Sequence, residues 1–259
     1  MRNLVVLVPS RNRPQNIADL IQAFEDTETE SDLIVIVDDD EPQMDAYLQL
    51  GCDVLMVEKR GKGMAKPLNF AARHYAHKYR HFAFLGDDHR PRTKNWDLLF
   101  INALDELGTG LVYGNDLLQG ENLATAVAMS GDIVNALGGM VPPDMIHLYL
   151  DNFWMTLGKD LNALRYIPEV VLEHLHPFAG KAEWDDLYQE VNAPEVYSAD
   201  KQALDDYLAS DAYRHLLEKL RDQAQESGFE QPTVTKRPPM LIPILINTVN
   251  GKTISFEPR

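Results

Sequence analysis

Along residues 1–115, short apolar runs rich in β-branched residues alternate with stretches whose apolar positions recur every three or four residues. Residues 4–8 (Leu-Val-Val-Leu-Val), 33–37, 53–57, 81–85 and 111–114 have the length and composition of buried strands. Between them, Ile17, Leu20, Ile21 and Phe24 fall at helical spacing, as do Trp96, Leu99, Phe100, Ala103 and Leu107. The spacing predicts further helices over 41–50 and 64–79. Strands alternating with helices predict an α/β fold with a mostly parallel central sheet flanked by helices on both faces.

The second half is less regular. Helices are predicted over 131–137, 150–161, 184–191 and 199–225, and a strand over 170–175. Lys236-Arg237-Pro238-Pro239 has the composition of a linker. Residues 244–249 and 252–256, joined by Asn250-Gly251, read as a terminal hairpin with a two-residue turn. The chain therefore divides into a main domain over 1–180, with halves at 1–115 and 116–180, and a helical C-terminal extension with a hairpin tail over 181–259.

In a parallel α/β sheet, ligands bind beyond the carboxyl ends of the strands. Those ends carry polar clusters here: Pro9-Ser10-Arg11-Asn12-Arg13, Asp38-Asp39-Asp40, Glu58 to Gly63 with Lys59, Arg60 and Lys62, and Gly86-Asp87-Asp88-His89. Adjacent carboxylates at a strand end repel unless a cation or solvent relieves them. Asp87-Asp88 therefore reads either as a hard-cation site or as a solvated turn. In Glu173-His174-Leu175-His176-Pro177, an extended backbone would put His174 and His176 on one face. One of them could complete an Mn²⁺ or Mg²⁺ site; the bland alternative is two surface histidines. Asp38, Asp39 and Asp40 suit ribose hydroxyls and a base N–H, or simply an acidic turn. Ser10, Arg11 and Arg13 suit a diphosphate. Asp151 opens a predicted helix, where a carboxylate serves as a cap or as a general base.

Composition narrows the choice of partner. There are 24 basic against 40 acidic residues, a formal net charge of −16. Such a chain repels bulk nucleic acid and anionic lipid. Its one cysteine, Cys52, excludes an intrachain disulfide and suits a reducing compartment. No apolar run is long enough for a signal sequence or a membrane span, which predicts a cytoplasmic protein. A G-x-x-x-x-G-K-[ST] loop and a G-x-G-x-x-G fingerprint are both missing from the sequence.

From Asn3 to Pro177 the combination resembles the family-2-like glycosyltransferases of the GT-A fold, especially short bacterial or phage-encoded members. The resemblance rests on Val8-Pro9-Ser10-Arg11-Asn12-Arg13-Pro14, Asp38-Asp39-Asp40, Lys66-Pro67-Leu68-Asn69, Phe84-Leu85-Gly86-Asp87-Asp88, Asp151-Asn152 and Glu173-His174-Leu175-His176-Pro177, in that order. It implies a metal-dependent enzyme that moves a sugar from a nucleotide-diphosphate donor, UDP-linked by preference, to a hydroxyl acceptor with inversion. Pro9, Ser10, Arg11, Arg13, Asp38, Asp39, Asp40, Arg60, Lys66, Asn69 and Asp87 would hold the donor. Asp88 with His174 or His176 would hold Mn²⁺ or Mg²⁺, and Asp151 would be the base. The family's acidic pair is Asp-Asn in this chain, so Asp132 and Asp144 stand in reserve.

Glycan, lipid-linked, protein and modified-DNA acceptors all stay open. The basic residues of His89-Arg90-Pro91-Arg92-Thr93-Lys94 would either steer an anionic acceptor or form a solvated loop. Residues 181–259 would cover the acceptor cleft or form a dimer contact in a homo-oligomer. Two other functions compete. A sugar-phosphate nucleotidyltransferase would use a similar sheet, but with a glycine-rich loop where this chain has Pro-Ser-Arg-Asn-Arg. A non-catalytic nucleotide-sugar-binding or assembly protein would keep the fold without turnover.

Overall fold

The computed structural model describes residues 2–58, 62–177, 180–181, 186–226, 247–249 and 252–254. In chain order the elements are β1 (Arg2–Pro9), α1 (Pro14–Asp26), β2 (Asp32–Asp38), α2 (Met44–Leu48), β3 (Asp53–Val57), α3 (Ala65–Tyr75), β4 (Tyr79–Phe84) and β5 (His89–Pro91). Next come α4 (Trp96–Leu107), β6 (Leu111–Asn115), β7 (Val127–Ser130), α5 (Gly131–Leu137), α6 (Leu150–Asp160) and β8 (Leu164–His174). The C-terminal part holds α7 (Asp186–Val191), α8 (Pro194–Ala209), α9 (Asp211–Glu226), β9 (Asn247–Val249) and β10 (Lys252–Ile254).

Eight strands form one sheet in the order β3-β2-β1-β4-β7-β6-β8-β5. The β3-β2-β1-β4 half is parallel, as the alternating pattern predicts. β7 is inserted antiparallel between β4 and β6, and β6 pairs parallel with β8. The sequence reading missed β7, because Val-Ala-Met-Ser is too short and too poor in β-branched residues to register. β8 is also longer than the predicted strand at 170–175. It contains Pro168, and the β6–β8 register shifts between Gly114 and Asn115. A proline cannot donate to the ladder, so an irregularity is where a strand tolerates one.

Successive side chains of β1 alternate between two cores. Val5 and Leu7 join one cluster, while Leu4, Val6 and Val8 join the other. Ile34 and Ile36 of β2 take the first side, and Val35 and Val37 the second. Period-two alternation with both faces apolar is the signature of a strand covered on both sides. Full burial of each such side chain contributes roughly 1.5–3 kcal/mol. The first face is covered by α3, α5, α6, α8 and α9, the second by α1, α2 and α4. This leaves the carboxyl edge of β1, β2 and β4 open.

The helix predicted over 199–225 is two helices, α8 and α9, meeting at Ser210. The Ser210 hydroxyl donates to the Tyr207 carbonyl and accepts from the Tyr213 N–H, closing one helix and capping the next. β9 and β10 pair antiparallel, as expected of the hairpin. Its Asn250-Gly251 turn and the 236–239 linker lie outside the described residues. No helix among the described residues is long and apolar enough to cross a membrane.

Candidate active site

Beyond the carboxyl ends of β1, β2 and β4 lies a cleft of about 330 Å³. Ten of the expected site residues line it: Pro9, Ser10, Arg11, Arg13, Asp38, Asp87, Asp88, Asp151, His174 and His176. They come from residues 9–38, 87–88, 151 and 174–176, and α7 lines the rim with Tyr188, Glu190 and Val191.

The β1 end is organised around Asp87. The Ser10 hydroxyl donates to Asp87 Oδ2 (2.7 Å) and lies 2.8 Å from the Tyr47 hydroxyl. That hydroxyl in turn accepts the Arg13 backbone N–H at 2.9 Å. The Arg13 guanidinium reaches Asp87 Oδ1 at 3.4 Å. Arg11 spans to Asp40 (2.6 Å) and Asp38 (3.4 Å), tying the end of β1 to the end of β2. Burial, then the adjacent Asp88, push the Asp87 carboxyl up to about 6, against the pull of Arg13.

Asp88 behaves oppositely. Burial alone would raise it, but His174 and His89 outweigh burial and hold it well below the usual carboxylate range. His89 and His174 face each other in register across β5 and β8, with rings stacked 4.1 Å apart. One ligand atom from each of Asp88, His89 and His174 falls within 4.8 Å of the others. His89 Nε2 and His174 Nδ1 are buried without hydrogen-bond partners among the described residues. One carboxylate and two imidazoles gathered this closely are a donor set that fits a divalent cation. His176, expected to share a face with His174, lines the cleft but stands outside this trio. β8 ends at His174, so strand alternation does not carry through to His176. His89 takes the third place instead, put there by the pairing of two strands remote in sequence.

Gly86 makes room for this arrangement. A Cβ there would lie 2.5 Å from Asp88 Oδ1 and 3.0 Å from His89 Nδ1. The Gly86 N–H donates to His89 Nδ1, which orients the ring.

Asp151 stands in the first turn of α6, after Tyr149 in a left-handed conformation (φ 60°). Its Oδ1 accepts the N–H of Asn152, and its side chain faces the cleft. Burial pushes its carboxyl up to about 6. The reserve residues lie elsewhere: Asp132 accepts the Thr109 hydroxyl, and Asp144 is exposed.

Four other expected donor residues are not drawn into the cleft. Asp39 and Asp40 are exposed on the turn after β2, and Lys66 is exposed on α3. Asn69 is buried and clamps the 140–141 loop: its amide oxygen accepts from Met140 and Val141 N–H, and its nitrogen donates to the Val141 carbonyl. Arg60 lies outside the described residues. In the basic segment after Asp88 one arginine is buried and the other two basic residues are exposed in surface ion pairs. Arg90 is buried and donates to the carbonyls of Asp87 and His89, Arg92 pairs with Glu173, and Lys94 pairs with Glu28.

Tyr188 and His147 line the cleft as well, and neither stood out in the sequence. The Tyr188 hydroxyl donates to Asp88 Oδ2 at 2.6 Å, and the Arg13 guanidinium sits 4.0 Å over its ring. No motif marks an aromatic in a short helix a hundred residues downstream.

Comparison with known proteins bears on the fold. Residues 5–126 match the model for glycosyl transferase family 2. The solved glucosyl-3-phosphoglycerate synthase of Mycobacterium tuberculosis, in complex with Mn²⁺, uridine diphosphate and glucosyl-3-phosphoglycerate, is similar with a TM-score of 0.53 and 15% identity, over 79% of this chain and 80% of that one. The same synthase with uridine diphosphate gives 0.54 at 15% identity, and with phosphoglyceric acid 0.53 at 16%, over the same shares. At such identity the likeness establishes the fold. Comparison with curated proteins by sequence gives no match. The chain therefore has the fold of the GT-A glycosyltransferases, and its match to the family 2 model runs over residues 5–126.

Proposed function

We propose that the enzyme moves a sugar from a nucleoside-diphosphate donor, UDP-linked by preference, to a hydroxyl acceptor in a single inverting displacement. The observation that carries this reading is that Asp88 and Asp151 line one cleft, with the Ser10, Arg11, Arg13 and Asp38 cluster at its β1–β2 end. UDP is the donor nucleotide to test first, because the synthase that shares the fold holds it.

Asp88, His89 and His174 would hold Mn²⁺ or Mg²⁺, which when bound neutralises charge developing on the departing diphosphate. Asp38 accepts hydrogen bonds from the ribose hydroxyls. Arg13, fixed from behind by Asp87 and Tyr47, turns a positive group toward the phosphates. Asp151 takes the acceptor proton. Its carboxyl, raised to about 6, is ionised at neutral pH yet a stronger base than an exposed aspartate. Holding acceptor and donor in line in one cleft supplies most of the remaining rate, through lost freedom already accounted for in binding.

The test is calorimetry and thermal shift with UDP, GDP, CDP and TDP, each with and without Mn²⁺. One diphosphate that binds only with the metal supports the reading and names the base. Failure of all four to bind sinks it.

A further inference from the structure

Ile146, His147 and Leu148, just before α6, point three successive backbone N–H groups at one carboxylate. Asp200 of α8 accepts them at 2.6, 2.9 and 2.6 Å and is fully buried. A buried carboxylate satisfied by several backbone donors is a firm anchor, because breaking it strands a charge. On the opposite side the segment is held by Gly63. There φ is +76°, and a Cβ would lie 2.3 Å from the Ile146 oxygen and 2.9 Å from His147 Cβ. The Ala65 N–H also donates to the Ile146 carbonyl at 3.0 Å.

The backbone at His147 is therefore fixed from two sides while its side chain lines the cleft. His147 Nδ1 is shielded from solvent and has no hydrogen-bond partner among the described residues. A buried donor or acceptor left unmade costs about 1–3 kcal/mol, so a group held rigidly in that state points to a ligand. The ring lines the same cleft as Ser10, Arg13 and Asp88, the groups that frame the diphosphate in the reading above. Burial and Arg13 hold its pKa down at about 4, so it offers one N–H without adding charge.

We infer that His147 contacts the donor, giving one hydrogen bond to a diphosphate oxygen, and that Asp200 is the positioning residue that holds it there. This rests on the nucleotide-sugar reading and deepens it. Asp200 stands on α8, so a C-terminal helix acts on the donor site through the 146–148 segment.

The experiment is calorimetry with UDP and with uridine, both in the presence of Mn²⁺. His147→Ala should weaken UDP by roughly 10- to 100-fold, the range of one hydrogen bond to a charged group, and leave uridine unchanged. His147→Gln, which keeps an N–H, should recover part of the loss. Asp200→Asn should weaken UDP without weakening uridine. Unchanged UDP affinity in His147→Ala would overturn the inference alone, as would an equal loss for uridine, which would mark a distorted cleft. No UDP binding by the unsubstituted protein would overturn the donor-site reading and this inference together.

Discussion

The Tyr188 hydroxyl donates to Asp88 Oδ2 at 2.6 Å, joining a helix of the C-terminal region to the carboxylate at the centre of the site. Burial and Asp88 push the Tyr188 phenol up, so it remains a donor over the whole working pH range. A carboxylate that ligates a cation is commonly oriented by such an outer hydrogen bond, and its loss costs roughly 10–100-fold in metal affinity. Tyr188→Phe should therefore weaken Mn²⁺ binding by about tenfold, read by calorimetry or electron paramagnetic resonance of Mn²⁺. Tighter binding in the variant would recast Tyr188 as a competitor for the carboxylate oxygen.

Asp151 should separate transfer from donor binding. Asp151→Asn removes the base and keeps the shape, so donor affinity should stay within a few-fold while kcat falls by about 10²–10⁴. The intact enzyme should lose kcat as pH drops through about 6, where the raised carboxyl takes up its proton. The asparagine variant's residual rate should lack that limb. Equal loss of donor binding and transfer would make Asp151 a structural cap.

The parts of the site that lie on consecutive strand ends were legible in the sequence, because an apolar run followed by a polar cluster fixes both strand and edge. Ser10, Arg13, Asp87 and Asp88 come together on that logic alone. His89, His147, Tyr188 and Asp200 were not legible. Each acquires its place from a partner remote in the chain: His89 from strand pairing with His174, Tyr188 and Asp200 from helices packed back onto the sheet. A three-residue strand such as β5 carries no periodicity, so its residues were taken for a loop. Asn69 shows the converse error. A polar residue beside a motif looked like a ligand contact, but burial on α3 turned its amide toward a neighbouring loop.

Asn69→Ala should act on stability and not on the donor. It strands the Met140 and Val141 N–H groups and the Val141 carbonyl in a buried setting. Removing one partner of buried hydrogen bonds costs about 1–3 kcal/mol per group left unmade, with the true sum smaller where water enters. A fall in the denaturant midpoint with unchanged UDP affinity is expected. A selective loss of UDP affinity would return Asn69 to the donor site.

Asp116 should contribute stability that depends on pH. Its Oδ1 accepts the N–H groups of Leu118, Gln119 and Gly120, and its Oδ2 accepts the Thr125 hydroxyl, closing the loop between β6 and β7. Burial would raise this carboxyl, but the bonds from Gly120, Leu118, Thr125 and Gln119 outweigh burial and hold it below its ordinary value. A group depressed in the folded state binds its proton more readily in the unfolded chain. Its stabilisation is therefore complete above the unfolded pKa of about 3.9 and is lost as pH falls through the folded value. Asp87 and Asp151, raised to about 6, work in the opposite sense, since protonation between about pH 6 and 4 relieves their burial. The wild-type pH profile is a sum of these, so the Asp116 contribution must be read as a difference. Asp116→Asn keeps one acceptor oxygen and removes the charge, and should cost about 1–3 kcal/mol at pH 7. That deficit should shrink as pH falls below about 4, in parallel urea titrations of both proteins. A deficit that stays constant down to pH 2 would mean that the loop is held by Asp116 packing and not by its charge.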